Sequence, residues 1–287
     1  MKLFPLCALV VLTLVAVTLC AQNEQTIFNG TFVDKTEYHN YVVSLSDPKK
    51  PNKHQCGGTI LNEVTILTAA HCDCYGEQYV VAGSFDNACS VENEQSPSCQ
   101  RIKVRACEKN DVTSSFRNDT QIVRLMKPIV FYDRALPAVI STREVLVSET
   151  VEVVGWGLLD QTGYQSTMLS KTFETVVNIT DPRCRYSFLI SQYSWFHSHP
   201  DEYSGQICAI GQDTVSCGGD SGGPVVIIDE YNKKHATLYG IVSTTTFFNS
   251  KTSSEGRCVR DNYDIHNSVF ANRDFILKAS AQFHCKY

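Results

Sequence analysis

Positive charge is in short supply in this chain. It has 25 lysines and arginines against 30 aspartates and glutamates, a formal net charge of −5, and no basic cluster offsets that balance. Binding to a phosphate backbone needs a concentrated cationic face, so nucleic acid is excluded as a partner. Long apolar runs are as scarce. After Leu19 no stretch is long and apolar enough to span a bilayer, so a membrane partner is not expected either. There is no internal repeat and no low-complexity tract, which argues against a solenoid or a tail-like chain. Zinc-knuckle spacing is missing too: Cys72-Asp73-Cys74 is not C-x₂-C, and His197 and His199 are two apart with no acid or cysteine beside them. No metal and no cofactor is expected.

Two features are abundant. Lys2 precedes an apolar run from Leu3 to Leu19, and Ala21 offers a small residue for cleavage, so residues 1–21 read as a secretory leader. The chain is therefore expected outside the cell. Cysteine is plentiful, with 13 in all, and eleven remain once Cys7 and Cys20 leave with the leader. In an oxidising compartment these should pair, each bridge adding roughly 2–4 kcal/mol by restricting the unfolded chain. Eleven is odd, so one thiol is left over, and Cys285 near the end is the best candidate.

A mature chain of this length can bury a large core as one or two domains. Short apolar runs at Tyr41–Leu45, Val64–Thr68, Val151–Val154 and Val225–Ile228 sit between polar, glycine-containing turns, which predicts a mostly β body. Val269–Gln282 differs. Its apolar residues Val269, Phe270, Phe275, Ile276 and Ala279 recur at helical spacing, which predicts a C-terminal helix.

The chemistry gathers around Gly219-Asp220-Ser221-Gly222-Gly223-Pro224. Small residues flank a hydroxyl on a tight turn, where another backbone can approach. A serine hydroxyl is a poor nucleophile without a base, and His71 in Thr68-Ala69-Ala70-His71-Cys72 is the candidate. An orienting acid is offered by Asp119, just before the apolar segment Ile122-Val123-Arg124-Leu125.

In this order, His71, Asp119 and Ser221 resemble the chymotrypsin–trypsin family of serine proteases, and the resemblance runs from Ile27 to the C-terminal helix. It implies an all-β fold of two six-stranded antiparallel β-barrels with a terminal helix. The N-terminal barrel would span about 27–135, and the C-terminal barrel and helix about 136–287. It also implies a secreted serine endopeptidase. Ser221 would attack, His71 would act as base and then acid, and Asp119 would orient the imidazole. The N–H groups of Gly219 and Ser221 would face the oxyanion, and Ser243 would support the triad carboxylate.

Activation follows the same resemblance. Residues 22–26 would be a short propeptide, and cleavage would free the Ile27 ammonium to pair with Asp220. That propeptide ends in Thr26 where the family usually has a basic residue, so the activating protease stays open. The implied disulfides are Cys56–Cys72, Cys184–Cys208 and Cys217–Cys258. Cys89–Cys99 and Cys74–Cys107 are the remaining suggestions. Asn178 is the expected glycan site among three sequons; Asn118, beside the triad acid, is expected bare, and Asn29 is open. The family's calcium loop is not expected, because Ser84 stands at its first acidic position although Glu94 matches a later one.

Substrate preference is contradictory. Val215 matches the base of the specificity pocket and favours apolar P1 side chains. Asp264, from Asp261-Asn262-Tyr263-Asp264-Ile265, matches the pocket wall, as in the similar brachyurin-type crustacean collagenases, and a carboxylate there favours basic P1 side chains. Thr244 and Thr245 replace the family's Trp-Gly at the rim, and Thr245 would narrow the mouth. The stretch Thr244–Arg257 is longer than usual, which leaves an insertion away from substrate as the other possibility. Expected partners are protein or peptide substrates, an activating protease and protein inhibitors, with the enzyme a monomer. The competing reading is a protease-like binding protein with weak or no peptidase activity.

Overall fold

In the computed structural model the described residues are 27–74, 77–86, 89, 99–111, 117–159, 164–184, 205–229, 235–245 and 263–281. The leader, the propeptide, Glu94, Tyr193–Pro200, Cys258, Asp261, Asn262 and Cys285 lie outside them.

Strands β2 (Val42–Asp47), β3 (Lys50–Asn62), β4 (Thr65–Thr68), β5 (Tyr79–Ala82), β6 (Gln100–Lys109) and β7 (Gln121–Leu125) close a barrel in the order β2-β3-β4-β7-β6-β5. The β-branched and aliphatic residues that mark these runs fill its interior: Val43, Leu45, Ile60, Ile66, Leu67 and Ile122 are fully buried. Each such side chain contributes roughly 1.5–3 kcal/mol by leaving water.

A second barrel follows. It comprises β9 (Thr150–Gly155), β10 (Ser170–Val177), β11 (Gln206–Gly211), β12 (Pro224–Ile228), β13 (Ala236–Thr245) and β14 (Asp264–Ser268). These pair in the order β10-β11-β14-β13-β12-β9, and a β9–β10 pairing closes the ring. All twelve barrel strands pair antiparallel with their ring neighbours. The short β1 (Thr31–Phe32) adds to β10, and β8 (Val139–Ile140) runs parallel to β13.

Glycines set how closely the barrels meet. Gly57 N–H donates to Ser221 C=O at 2.8 Å, and a Cβ on Gly57 would lie 2.7 Å from Gly223 Cα. No larger residue fits there.

The C-terminal helix α1 runs Arg273–Ala281, four residues shorter at its start than the apolar spacing predicts. Val269–Asn272 form turns instead. Asn272 explains the boundary: its Nδ2 donates to Ser268 C=O at 2.8 Å and its Oδ1 accepts from Asn110 Nδ2 at 2.9 Å. A side chain engaged outside the helix in this way favours the turn before it. Ile276 and Ala279 then pack into the core shared with the first barrel.

Candidate active site

Strand register brings the imidazole and its carboxylate together. Thr68, the last residue of β4, pairs with Gln121, the first of β7. His71 lies three residues beyond that end, in a single 3₁₀ turn at Ala70–Cys72, and Asp119 lies two residues before it. The two therefore emerge side by side. Asp119 Oδ2 is 2.6 Å from His71 Nδ1, and Oδ1 accepts from His71 N–H at 2.9 Å. Cys72 is bridged to Cys56, which ties the turn to β3.

Asp119 is fully buried, whereas the His71 side chain is 30% exposed. The imidazole is accessible from solvent while the carboxylate is not. Ser243 Oγ–H donates to Asp119 Oδ2 at 2.6 Å, and Asp119 N–H donates to Asn267 Oδ1 at 3.2 Å. Burial pulls the Asp119 carboxyl upward. The hydrogen bond and charge of His71, the Ser243 hydroxyl and the His71 amide together outweigh it and hold the carboxyl below its usual range. Asn267 gave no sequence signal, since an asparagine in a strand has no pattern of its own.

Ser221 sits on the turn leading into β12, with its carbonyl held by Gly57. Gly219 has φ +103°, a conformation that L side chains rarely adopt. Its carbonyl accepts from His54 Nε2 at 2.9 Å, and His54 Nδ1 lies 2.7 Å from Ser44 Oγ. A carbonyl only accepts, so Nε2 carries the proton and the Ser44 hydroxyl donates to Nδ1. This carbonyl belongs to the Gly219–Asp220 peptide, so holding it fixes the unit between the Gly219 and Ser221 N–H groups. Burial lowers His54 to about 4, against the opposing pull of the Gly219 carbonyl, so it is a neutral imidazole.

Asp220 is fully buried. Its oxygens accept from Gly157 N–H at 2.8 Å and Cys217 N–H at 2.9 Å. A Cβ on Gly155 or Gly157 would overlap its carboxylate, so both glycines are required for it to fit. Burial lifts Asp220 to about 7 although both amides lower it, and the charge of Asp264 adds to the rise. Ile27 is also fully buried, and Phe28 forms a β-bridge with Val215. The start of the described chain thus lies against the expected pocket base.

Around that pocket, Val215 is buried, and Ser216 N–H and Oγ–H donate to Asp264 Oδ2 and Oδ1 at 2.9 and 2.8 Å. Asp264 pairs with Thr245 across β13. Two residues without any sequence signal join them. Glu174 on β10 and His266 on β14 are buried, with His266 Nε2 2.8 Å from Glu174 Oε2. Glu174, Asp264 and His266 place one polar atom each within 4.8 Å of the others, though these groups are largely bonded to one another and to Ser216. Away from the triad, a cavity of about 650 Å³ is lined by Glu37, His39, Glu152, Lys171, Phe173 and neighbouring residues.

Bridges join Cys184–Cys208, Cys74–Cys107 and Cys89–Cys99, and Cys217 is also in a disulfide. Asn178 is exposed, with Oδ1 accepting from Thr180. Asn118 Nδ2 donates to Asp111 C=O and Asn29 Nδ2 to Asp213 C=O. Ser84 Oγ–H donates to Asp86.

A half-exposed imidazole oriented by a buried carboxylate, at the junction of two β-barrels and beside a glycine-flanked serine, defines a serine-protease site. The chain belongs to the trypsin family of serine endopeptidases, whose family model (Trypsin) matches residues 27–275. Trypsin zeta of Drosophila erecta is 30% identical over 208 residues, covering 70% of this chain and 68% of its own. Trypsin-1 of Astacus astacus is 29% identical over 201 residues, covering 66% of this chain and 76% of its own. Beta-fibrinogenase brevinase of Gloydius blomhoffii is 29% identical over 196 residues, covering 67% and 74%. The solved structure of neuropsin, a serine protease of mouse brain, shares the fold with a TM-score of 0.66 at 19% identity, over 88% of this chain and all of that one.

Proposed function

We propose that this chain is a secreted endopeptidase made as a zymogen, acting through His71, Asp119 and Ser221. The observation that carries the reading is the bonding of buried Asp119 to both His71 Nδ1 and Ser243 Oγ, which holds the imidazole proton on Nδ1 and makes Nε2 the basic nitrogen. His71 takes the Ser221 proton as Oγ attacks the scissile carbonyl, forming a tetrahedral oxyanion that the Gly219 and Ser221 N–H groups stabilise. It then gives that proton to the leaving amine. The acyl-enzyme is cleared by water through the same sequence. Losing one oxyanion donor typically costs about 10²–10³ in rate, so the positive φ at Gly219 matters.

Activation rests on Asp220. A buried carboxylate that burial pushes toward neutrality gains most from a buried cation. Cleavage before Ile27 supplies one, and the turn that Asp220 already holds at Cys217 then locks.

The test is covalent labelling. Protein processed to begin at Ile27 should react with a fluorophosphonate at Ser221 and hydrolyse members of a diverse peptide library, and His71→Ala should lose both. Correctly processed protein that neither labels nor cleaves would sink the reading in favour of a binding protein that retains the fold.

A further inference from the structure

Val215 and Asp264 point to opposite P1 preferences, and the side chains behind them reconcile the two. Asp264 lies between the expected pocket walls: its carboxyl holds Ser216, the neighbour of Val215, and its backbone pairs with Thr245 beyond Ser243. Behind it stands Glu174, whose carboxyl comes within 4.8 Å of that of Asp264. Two buried carboxyls this close repel when both are ionised, which favours a proton on one of them. His266 is the third member, bonded to Glu174 through Nε2.

The donors can be counted. Ser216 N–H, Ser216 O–H and the His266 ring N–H converge on the two carboxyls, while Glu174 Oε1 is buried and meets no donor of its own. That arrangement stabilises one negative charge shared over two carboxyls and cannot hold two. Among the described residues the further group whose charge bears on them is Asp220, which has the same sign. Strand β11, which pairs with Asp264 and His266 on its other edge, brings Ile207 and Ala209 and no charge. No cation is bonded to the cluster among the described residues.

Resting on the proposed triad and pocket, we propose that Asp264, Glu174 and His266 act as one proton-exchanging determinant of P1 preference. With both carboxyls protonated the cluster is neutral, and the pocket takes an apolar side chain against Val215. After one proton leaves to solvent, the cluster holds a single negative charge and the pocket takes a lysine or arginine. The direction of the titration supports this. Burial lifts Glu174 to about 7, with the Asp220 charge raising it and the Asp264 hydrogen bond lowering it. Burial, with the charge and hydrogen bond of Glu174, raises Asp264 well above its usual range. Burial lowers His266 to about 4, so it contributes a neutral donor throughout.

The experiment compares two peptides identical except for Lys or Leu at P1, with kcat/KM measured from pH 5.5 to 8.5 on protein beginning at Ile27. Any ionisation that affects both peptides alike cancels in the ratio. The Lys/Leu ratio should rise at least tenfold across this range. Asp264→Asn should flatten the ratio, and Glu174→Gln should move its midpoint to lower pH, because Asp264 then ionises without a competing carboxylate. A flat ratio in the unmodified enzyme overturns the proposal, as does an unchanged rise in Asp264→Asn. If the variants do not fold, the unmodified ratio still decides. Failure of Ser221 to label would instead sink the catalytic reading, so the two outcomes are distinct.

Discussion

Asp264 and Asp220 grip consecutive backbone amides. Asp264 Oδ2 accepts from Ser216 N–H and Asp220 Oδ2 from Cys217 N–H, each at 2.9 Å. The segment before the nucleophile is therefore held by two buried carboxyls of like charge, and the charge of Asp264 adds to the rise that burial gives Asp220. In the proposed reading one grip serves the new N-terminus and the other the P1 side chain, which would put activation and specificity on adjacent peptide units.

Cleavage should change the pH dependence of stability. In the uncut chain Asp220 has a raised carboxyl, near 7. A raised acid contributes stability that is fully present below its unfolded value and lost as pH rises through about 7. After cleavage the Ile27 ammonium should pair with it and remove that loss. The melting temperature of cut protein should exceed that of uncut protein by little at pH 5 and by several degrees at pH 7.5. A buried charge left unpaired costs roughly 3–5 kcal/mol, which sets that scale. Scanning fluorimetry on both forms checks it; a gap independent of pH would contradict the switch. His54 and His266 are common to both forms and drop out of the difference.

Ser243→Ala should slow catalysis without unfolding the protein. It removes a 2.6 Å donor from a buried, ionised carboxylate, a bond worth about 1.5–3 kcal/mol. The loss should appear in kcat, roughly tenfold to a hundredfold, with KM within about twofold, because Ser243 acts through Asp119. A larger change in KM than in kcat would place Ser243 against the substrate instead.

Much of this was legible in the sequence, for identifiable reasons. Runs such as Thr65–Thr68 and Pro224–Ile228 are short, β-branched and bounded by turns, so the strands could be read, and the order of His71, Asp119 and Ser221 carried the fold. Positions whose partners come from distant strands carried no signal. Glu174 looks like a surface residue in Lys171-Thr172-Phe173-Glu174-Thr175, yet alternation along β10 turns it inward while Phe173 is 55% exposed. His54 follows a lysine at the end of a polar stretch, and only the fold reveals its partners: the β2–β3 register sets it opposite Ser46, within reach of the Ser44 hydroxyl. The helix was read early because Val269 fits its spacing, while Asn272 sets the boundary through contacts that spacing cannot show.

Gly157→Ala should abolish activation more completely than it destabilises the fold. Its Cβ would overlap the Asp220 carboxylate, and a backbone amide that Asp220 accepts from belongs to the same residue. Overpacking of this kind costs roughly 1–3 kcal/mol. The displaced carboxylate could no longer hold Cys217 N–H or meet Ile27. The variant should melt a few degrees lower, bind peptide aldehydes weakly and label slowly at Ser221 even after correct cleavage. Labelling at the unmodified rate would show that Asp220 does not order the turn.

His54→Phe should separate loop order from the triad. The ring fills similar space but cannot donate to Gly219 C=O, so the Gly219–Asp220 peptide that lies between the two proposed oxyanion donors loses its anchor. On the order of 10–10² in kcat should be lost, below the cost of deleting a donor outright, with KM changed much less. Stability gives an independent check. His54 is lowered to about 4 by burial, and a group depressed on folding contributes stability present above its unfolded value and lost as pH falls through its folded one. Unmodified protein should therefore lose stability between pH 6.5 and 4 more steeply than His54→Phe, measured as the difference in unfolding free energy at each pH. Parallel curves would mean that His54 is already protonated in the folded chain, and its role as donor to Gly219 alone would have to be redrawn.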